Sequence, residues 1–206
     1  MQSGFGRKAE SGKIICRMSF GKAPIELMPG AKNAVEVCLN VRAGESLALI
    51  ADEISRSVAA SLETAANARG AKVTGLLLED FGPRPMKDAP AVVLDALETA
   101  DVGILCMTPQ PGELGARMSI VKVVERRQIR YAHMVGVTPE IMQQGMRADY
   151  RMVDRLSDRL RERMMRAETL TVKTEAGTSI SALFADRSAT ICITETLRSW
   201  SPGAGL

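Results

Sequence analysis

Gly44-Glu-Ser-Leu-Ala-Leu-Ile-Ala-Asp52 is the stretch that decides the fold of this 206-residue chain. Its apolar run, Ser46 to Ile50, is preceded by a glycine and followed by an acid, which is typical of a strand buried on both faces. The next segment, Ile54 to Arg69, has apolar residues at helical spacing on one face, and Gly70 can end that helix. A buried strand followed directly by an amphipathic helix predicts a βα unit.

The same alternation continues along the chain. The apolar pattern predicts three more strands, over residues 72–78, 102–107 and 131–136, and two more helices, over residues 90–99 and 113–127. Strands that alternate with helices imply parallel strands joined by right-handed crossovers. We therefore predict an α/β protein with a Rossmann-like layered domain and a mostly parallel sheet, followed by a small β-rich segment.

The flanking segments differ from this core. Residues 1–23 are predicted to be a flexible basic leader, residues 24–166 the layered domain, and residues 167–206 a β-hairpin segment. Within the layered domain, a helix is expected from about residue 31 to 39, after an interruption at Pro29-Gly30. A long charged helix is expected over residues 149–166.

The last segment is expected to begin with a hairpin, because the apolar strands 170–174 and 179–184 flank a turn at Glu175-Ala176-Gly177. Residues 189–196 are a possible third strand. A Gly/Pro stretch follows that strand with no closing element, so we interpret this segment as the start of a truncated second domain.

Composition excludes several classes of protein. A net charge of +3 with interspersed acids and bases does not fit a nucleic-acid partner. No stretch approaches the roughly 20 apolar residues of a membrane span, and no secretory signal is evident. The four cysteines are far apart, so we expect reduced thiols in a cytoplasmic protein. His133, the only histidine, is interpreted as a core or sheet residue.

Nucleotide binding is also disfavoured. The first strand runs into Ala51-Asp52-Glu53 rather than a glycine-rich turn, so no backbone N–H groups are exposed to a pyrophosphate there. The carboxyl ends of the predicted strands instead carry the polar residues Asp52, Glu53, Asp80 and Thr108. Two interpretations stay open: these residues cap helices and solvate the sheet edge, or they form a cleft wall that faces another domain or a substrate. They do not make a complete ligand set, so we assign no catalytic, cofactor-binding or metal-binding residue.

A series of motifs resembles a known family through its order along the chain. The motifs are Gly44–Ile50 with Asp52, Ala68-x-Gly70-Ala71-x-Val73, Leu97-x-x-Ala100-Asp101-Val102, Gly136-Val-Thr-Pro-Glu140, Asp149-Tyr150, and Thr171–Ile180. In this order they resemble the N-terminal half of aminopeptidase T-like metalloaminopeptidases. The iron-dependent dioxygenases that cleave dihydroxypyridine rings are similar in architecture.

The resemblance implies the N-terminal portion of a metal-dependent hydrolase whose divalent-metal ligands lie in the later half of the protein. Residues 1–206 would then hold no cofactor and be inactive alone. The complete enzyme would act on a small-molecule or peptide substrate, as a homo-oligomer with no nucleic-acid or membrane partner. A ring-cleaving dioxygenase and a stand-alone binding or assembly module are the alternatives.

Overall fold

Four parallel strands form the central sheet of the protein, whose computed structural model describes residues 19–183. From one edge of the sheet to the other, the strands are β2 (Lys72–Leu77), β1 (Ser46–Ala51), β3 (Val102–Met107) and β4 (Arg130–Val135). In the register, Leu49 lies opposite Gly75 on one side and Ile104 on the other. The predicted fold class is confirmed.

Helices cover both faces of this sheet. Alternate residues of β1 point to opposite faces, so Leu49 belongs to one hydrophobic cluster and Ile50 to the other. Because crossovers are right-handed, steps from β1 to β2 and then back to β3 require connecting helices on opposite faces. The connecting helices are α2 (Arg56–Ala68) on the first face and α3 (Ala91–Thr99) and α4 (Leu114–Arg127) on the second.

The segment before β1 is helical earlier than predicted. A 3-10 turn, Ile25–Leu27, leads into α1 (Met28–Lys32) and a π-helical turn, Asn33–Cys38. The expected interruption at Pro29-Gly30 was wrong, because a proline is tolerated in the first turn of a helix.

Gly30 allows a close contact between this segment and a later helix. A Cβ at Gly30 would lie 2.3 Å from the carbonyl oxygen of Met142, in α5 (Pro139–Gln143). Thr138 caps the N-terminus of α5, because Ile141 N donates to Thr138 Oγ1 at 3.3 Å.

The described chain ends with α6 (Tyr150–Met164) and an antiparallel hairpin of β5 (Thr169–Lys173) and β6 (Ser179–Leu183). Asn33 fixes the turn before α6, because its Nδ2 donates to the carbonyl oxygens of Met146 and Ala148, both at 2.8 Å. The predicted strand over residues 189–196 and most of the predicted leader lie outside the described residues. None of the helices described is both long and apolar enough to cross a membrane.

Candidate functional site

The sheet has its topological switch point between β1 and β3. The chain leaves β1 toward β2 on one side and leaves β3 toward β4 on the other, so the connections that follow these two strands diverge at the carboxyl ends of β1 and β3. Ligands of open α/β sheets bind in the crevice that such a divergence creates. Asp52 follows β1 at this position and Thr108 follows β3.

Asp52 and Thr108 are joined directly. The backbone N–H of Thr108 donates to Asp52 Oδ2 at 2.7 Å, and Ser55 N donates to Asp52 Oδ1 at 2.8 Å. The hydroxyl of Ser55 donates in turn to the carbonyl oxygen of Cys106 at 2.5 Å. The buried carboxylate of Asp52 therefore links the end of β1 to the end of β3.

The crevice is filled by a side chain that the sequence did not single out. Arg84 lies in the loop of residues 82–90 between β2 and α3, and its side chain is only 3% exposed. Its Nη1 pairs with Asp52 Oδ2, and its Nη2 donates to the carbonyl oxygen of Thr108 at 2.6 Å. The guanidinium thus occupies the position where a ligand would approach the two strand ends.

Glu113 completes the cluster from the other side. Arg84 Nε donates to Glu113 Oε1 at 2.8 Å and Nη2 donates to Oε2 at 2.6 Å, which is a bidentate arrangement. The same carboxylate accepts from Met86 N and Gln110 N, each at 3.2 Å. Glu113, with a side chain 1% exposed, therefore holds the loop of Arg84 against the start of α4.

The charges of this cluster favour the ionised forms. The hydrogen bond from Arg84 lowers the pKa of Glu113, and the same bond raises the pKa of Arg84. Burial alone would raise the pKa of Asp52, but the hydrogen bonds from Ser55, Thr108 and Arg84 outweigh it, so that pKa also lies below its ordinary value. A third carboxylate, Glu79, lies 3.6 Å from Arg84 Nη1 at the exposed side.

The four polar residues predicted at the carboxyl ends of the strands divide into a pair that is at least partly buried and an exposed pair. Asp52 and Thr108 are brought together and face Arg84, whereas Glu53 and Asp80 remain exposed. Glu53 pairs with Arg56 at 2.6 Å, and its backbone N–H donates to Glu79 Oε2 at 3.1 Å. Whether this exposed rim is a cleft wall facing a further domain or a substrate stays a prediction.

Little in the sequence indicates that Arg84 and Glu113 form a buried ion pair. Arg84 stands between Pro83 and Pro85 in a segment that reads as an ordinary connecting loop. The predicted helix over residues 113–127 begins at Glu113, a position where an acid is common because it interacts with the helix dipole. Glu113 instead directly precedes α4, and its side chain turns inward to Arg84.

His133 lies within β4, as predicted, on a strand at the edge of the four-stranded sheet. Its ring is exposed, and Nδ1 lies 3.4 Å from the hydroxyl of Tyr131. Within residues 19–183 there is no group of three or more His, Cys, Asp or Glu side chains placed to hold a metal ion.

No protein-family model and no curated protein sequence matches this chain. Two solved structures are similar to this chain over part of their length. One is the 2,5-dihydroxypyridine dioxygenase of Pseudomonas putida KT2440, with 21% identity and a TM-score of 0.46 over 76% of this chain and 46% of that one. The other is AmpT of Thermus thermophilus, with 12% identity and a TM-score of 0.41 over 75% of this chain and 58% of that one.

These neighbours represent the two groups that the motif order resembles, an aminopeptidase T and a dihydroxypyridine dioxygenase. This chain spans about half the length of each of them.

Proposed function

We propose that this chain is the N-terminal, scaffold-forming portion of a metal-dependent hydrolase of the aminopeptidase T type. The order of the sequence motifs supports the class of enzyme. The observation that supports the scaffold role is the filled crevice, in which Arg84 is held by the carboxylates of Asp52 and Glu113.

The hydrogen-bonding capacity of this cluster is largely used within the protein. The guanidinium of Arg84 donates to two carboxylates and to the Thr108 carbonyl. Removing one member of such a buried cluster leaves an uncompensated charge, which costs roughly 3–5 kcal/mol. Asp52 and Glu113 are buried and both bind Arg84, so a substrate at these carboxylates would have to compete with that arginine. These side chains are therefore suited to holding the loop and the two strand ends in place.

The same contacts bear on the metal that this class of enzyme implies. Hard divalent cations are bound by several free oxygen ligands, whereas the carboxylates of Asp52 and Glu113 both bind a guanidinium. The buried residues at the switch point therefore do not fit a metal ion. In this proposal the metal ligands belong to a part of the protein other than residues 19–183.

An assay of the protein from the complete reading frame tests the proposal. After treatment with EDTA, we expect hydrolysis of L-amino-acid p-nitroanilides to return with Mn²⁺, Co²⁺ or Zn²⁺. We expect residues 1–206 alone to give no turnover under the same conditions. The absence of metal-dependent cleavage by the complete protein would contradict the hydrolase class, and turnover by residues 1–206 would contradict the scaffold role.

The same preparation distinguishes the alternatives. Oxygen uptake with 2,5-dihydroxypyridine and Fe²⁺, without release of p-nitroaniline, would assign the scaffold to a ring-cleaving dioxygenase instead. A complete protein with neither activity would favour a binding or assembly module. For the hydrolase we further propose a peptide or small-molecule substrate and a cytoplasmic location. We also propose that the complete protein is a homo-oligomer, and light scattering measures that oligomeric state.

A further inference from the structure

An open pocket lies where the helical segment before β1 meets the turn before α6. Its volume is about 380 Å³, which falls within the roughly 300–1,000 Å³ of pockets that bind small molecules. The residues that line it are Pro29, Lys32, Asn33, Glu36, Val37 and Arg147. None of these residues belongs to the Arg84 cluster or to the exposed rim at the switch point. The pocket is therefore separate from the candidate site described above.

The side chain of Asn33 joins the two segments that form this pocket. Its Nδ2 donates to the carbonyl oxygens of Met146 and Ala148, both at 2.8 Å. Those two residues flank Arg147, which lines the pocket from the second segment. The relative position of the two segments is thus fixed by hydrogen bonds to backbone atoms.

The first segment has an unusual backbone at the pocket. Its π-helical turn, Asn33–Cys38, carries the lining residues Glu36 and Val37. The turn is closed by a hydrogen bond from Leu39 N to the carbonyl oxygen of Ala34 at 2.9 Å. Turns of this type are rare and are frequently found at functional sites.

Charges of both signs line the pocket beside an apolar surface. Lys32, Glu36 and Arg147 are exposed, and none of the three forms a salt bridge within residues 19–183. Pro29 and Val37 supply the apolar surface. A ligand that matches this lining carries a negative group, a positive group and an apolar group within a few bonds of each other.

We propose that this pocket binds a free α-amino acid with an apolar side chain. The carboxylate would pair with Arg147, whose guanidinium can hold it bidentately, and with Lys32. The ammonium group would pair with Glu36, and the side chain would contact Pro29 and Val37. This inference does not depend on the enzymatic class proposed above.

The mixed charge of the lining disfavours other occupants. A dissolved anion such as phosphate would meet the like charge of Glu36, and a simple cation would meet those of Lys32 and Arg147. A protein segment laid over the pocket would have to offer an opposite charge to each of the three, because a charge taken out of water without a partner is costly. A free amino acid carries both of its charges on one carbon atom.

Equilibrium dialysis of the complete protein with radiolabelled L-leucine tests the proposal. The protein is first treated with EDTA, so that a metal ion cannot bind the amino acid. We expect saturable binding. Isovalerate lacks the ammonium group and isoamylamine lacks the carboxylate, so each should compete about tenfold or more weakly than unlabelled leucine, as expected when a hydrogen bond to a charged group is lost.

Variants of the complete protein assign the binding to this pocket. Glu36→Gln and Arg147→Gln should each weaken Kd by about tenfold or more, and both positions are exposed, so the fold should not be affected. Glu26→Gln and Arg151→Gln are the matched controls, because these exposed charges do not line the pocket; they should leave Kd unchanged.

Three results would overturn the proposal. The first is no binding of leucine at millimolar concentration, which is also the result expected if another segment of the complete protein fills the pocket. The second is binding that Glu36→Gln and Arg147→Gln leave at the wild-type Kd. The third is competition by isovalerate or isoamylamine as strong as that by leucine. None of these measurements requires turnover, so their failure would leave the proposed hydrolase class untouched.

Discussion

The guanidinium of Arg84 and the carboxylate of Glu113 meet through two parallel hydrogen bonds, Nε to Oε1 at 2.8 Å and Nη2 to Oε2 at 2.6 Å. The two residues are 29 positions apart in the chain. Their pairing joins the loop after β2 to the residue that precedes α4. Because Arg84 also binds Asp52, three connections at the carboxyl end of the sheet meet in one buried cluster.

Replacing Arg84 with methionine should destabilise the protein by roughly 3–5 kcal/mol, because two buried carboxylates lose their counter-ion. Unfolding in urea measures the change. The matched control is Arg126→Met: Arg126 pairs with Glu98 at an exposed position, and loss of such a pair costs less than about 1 kcal/mol. Equal effects of the two substitutions would show that the Arg84 cluster contributes no more than a surface ion pair.

Acid should weaken the fold through Asp52 and Glu113. Both have pKa values in the folded protein below the ordinary values of 3.8 and 4.5. The unfolded chain therefore binds more protons, and this part of the stability is present above those ordinary values. This stabilisation is lost as the pH falls below the ordinary values of 3.8 and 4.5 and then through the lower pKa values of the folded protein.

Urea titrations at several pH values between about 2 and 6 check this dependence. Glu113→Gln removes one of these two carboxyl groups with a lowered pKa. The free energy of unfolding of this variant should therefore fall less steeply with acid than that of the wild type. An unchanged slope would mean that Glu113 does not contribute to the acid sensitivity.

Gly115→Ala should destabilise the protein although alanine is the better helix former. A Cβ at Gly115 would lie 2.6 Å from the carbonyl oxygen of Lys87, in the same loop as Arg84. Displacing that loop should cost roughly 1–3 kcal/mol, as overpacking does. Gly145→Ala is the control, since a Cβ there has no neighbour within 4 Å. If Gly115→Ala were as stable as the wild type in denaturant, the close contact with Lys87 would be refuted.

Asn33→Asp should loosen the start of α6. The amide nitrogen of Asn33 donates to two carbonyl oxygens, and a carboxylate oxygen in its place would face both of them. We expect faster hydrogen exchange over residues 145–152 and a lower melting temperature. Asn67→Asp, at an exposed position, should change neither. Exchange that stays at the wild-type rate would show that Asn33 does not hold this turn.

The sheet could be predicted because its signals are local. β3 (Val102–Met107) has the predicted bounds, β1 and β2 differ from the prediction by one residue at one end, and β4 is shifted by one residue at both ends. Apolar runs between glycines and acids depend on neighbouring residues only. The meeting of Asp52 with Thr108 followed from the rule that parallel strands end at one edge.

The interior of the site could not be predicted, because it depends on contacts between distant segments. No periodicity indicates that Arg84 folds back from its loop or that Glu113 turns inward to meet it. The same limit applies to the side chains of α6 (Tyr150–Met164), which the sequence predicts as a helix over residues 149–166. The direction in which they point depends on what the helix packs against.

The strand order also has a consequence for synthesis on the ribosome. β1 is made first but lies in the middle of the sheet, and its partner β3 begins at residue 102. At about 5–20 residues per second, several seconds separate the two strands during translation. Until β2 has been made, both edges of the nascent β1 are unpaired, and the edge that pairs with β3 stays open for the whole interval. The central strand β1 therefore leaves the ribosome first and can be paired on both edges only after Met107 has been made.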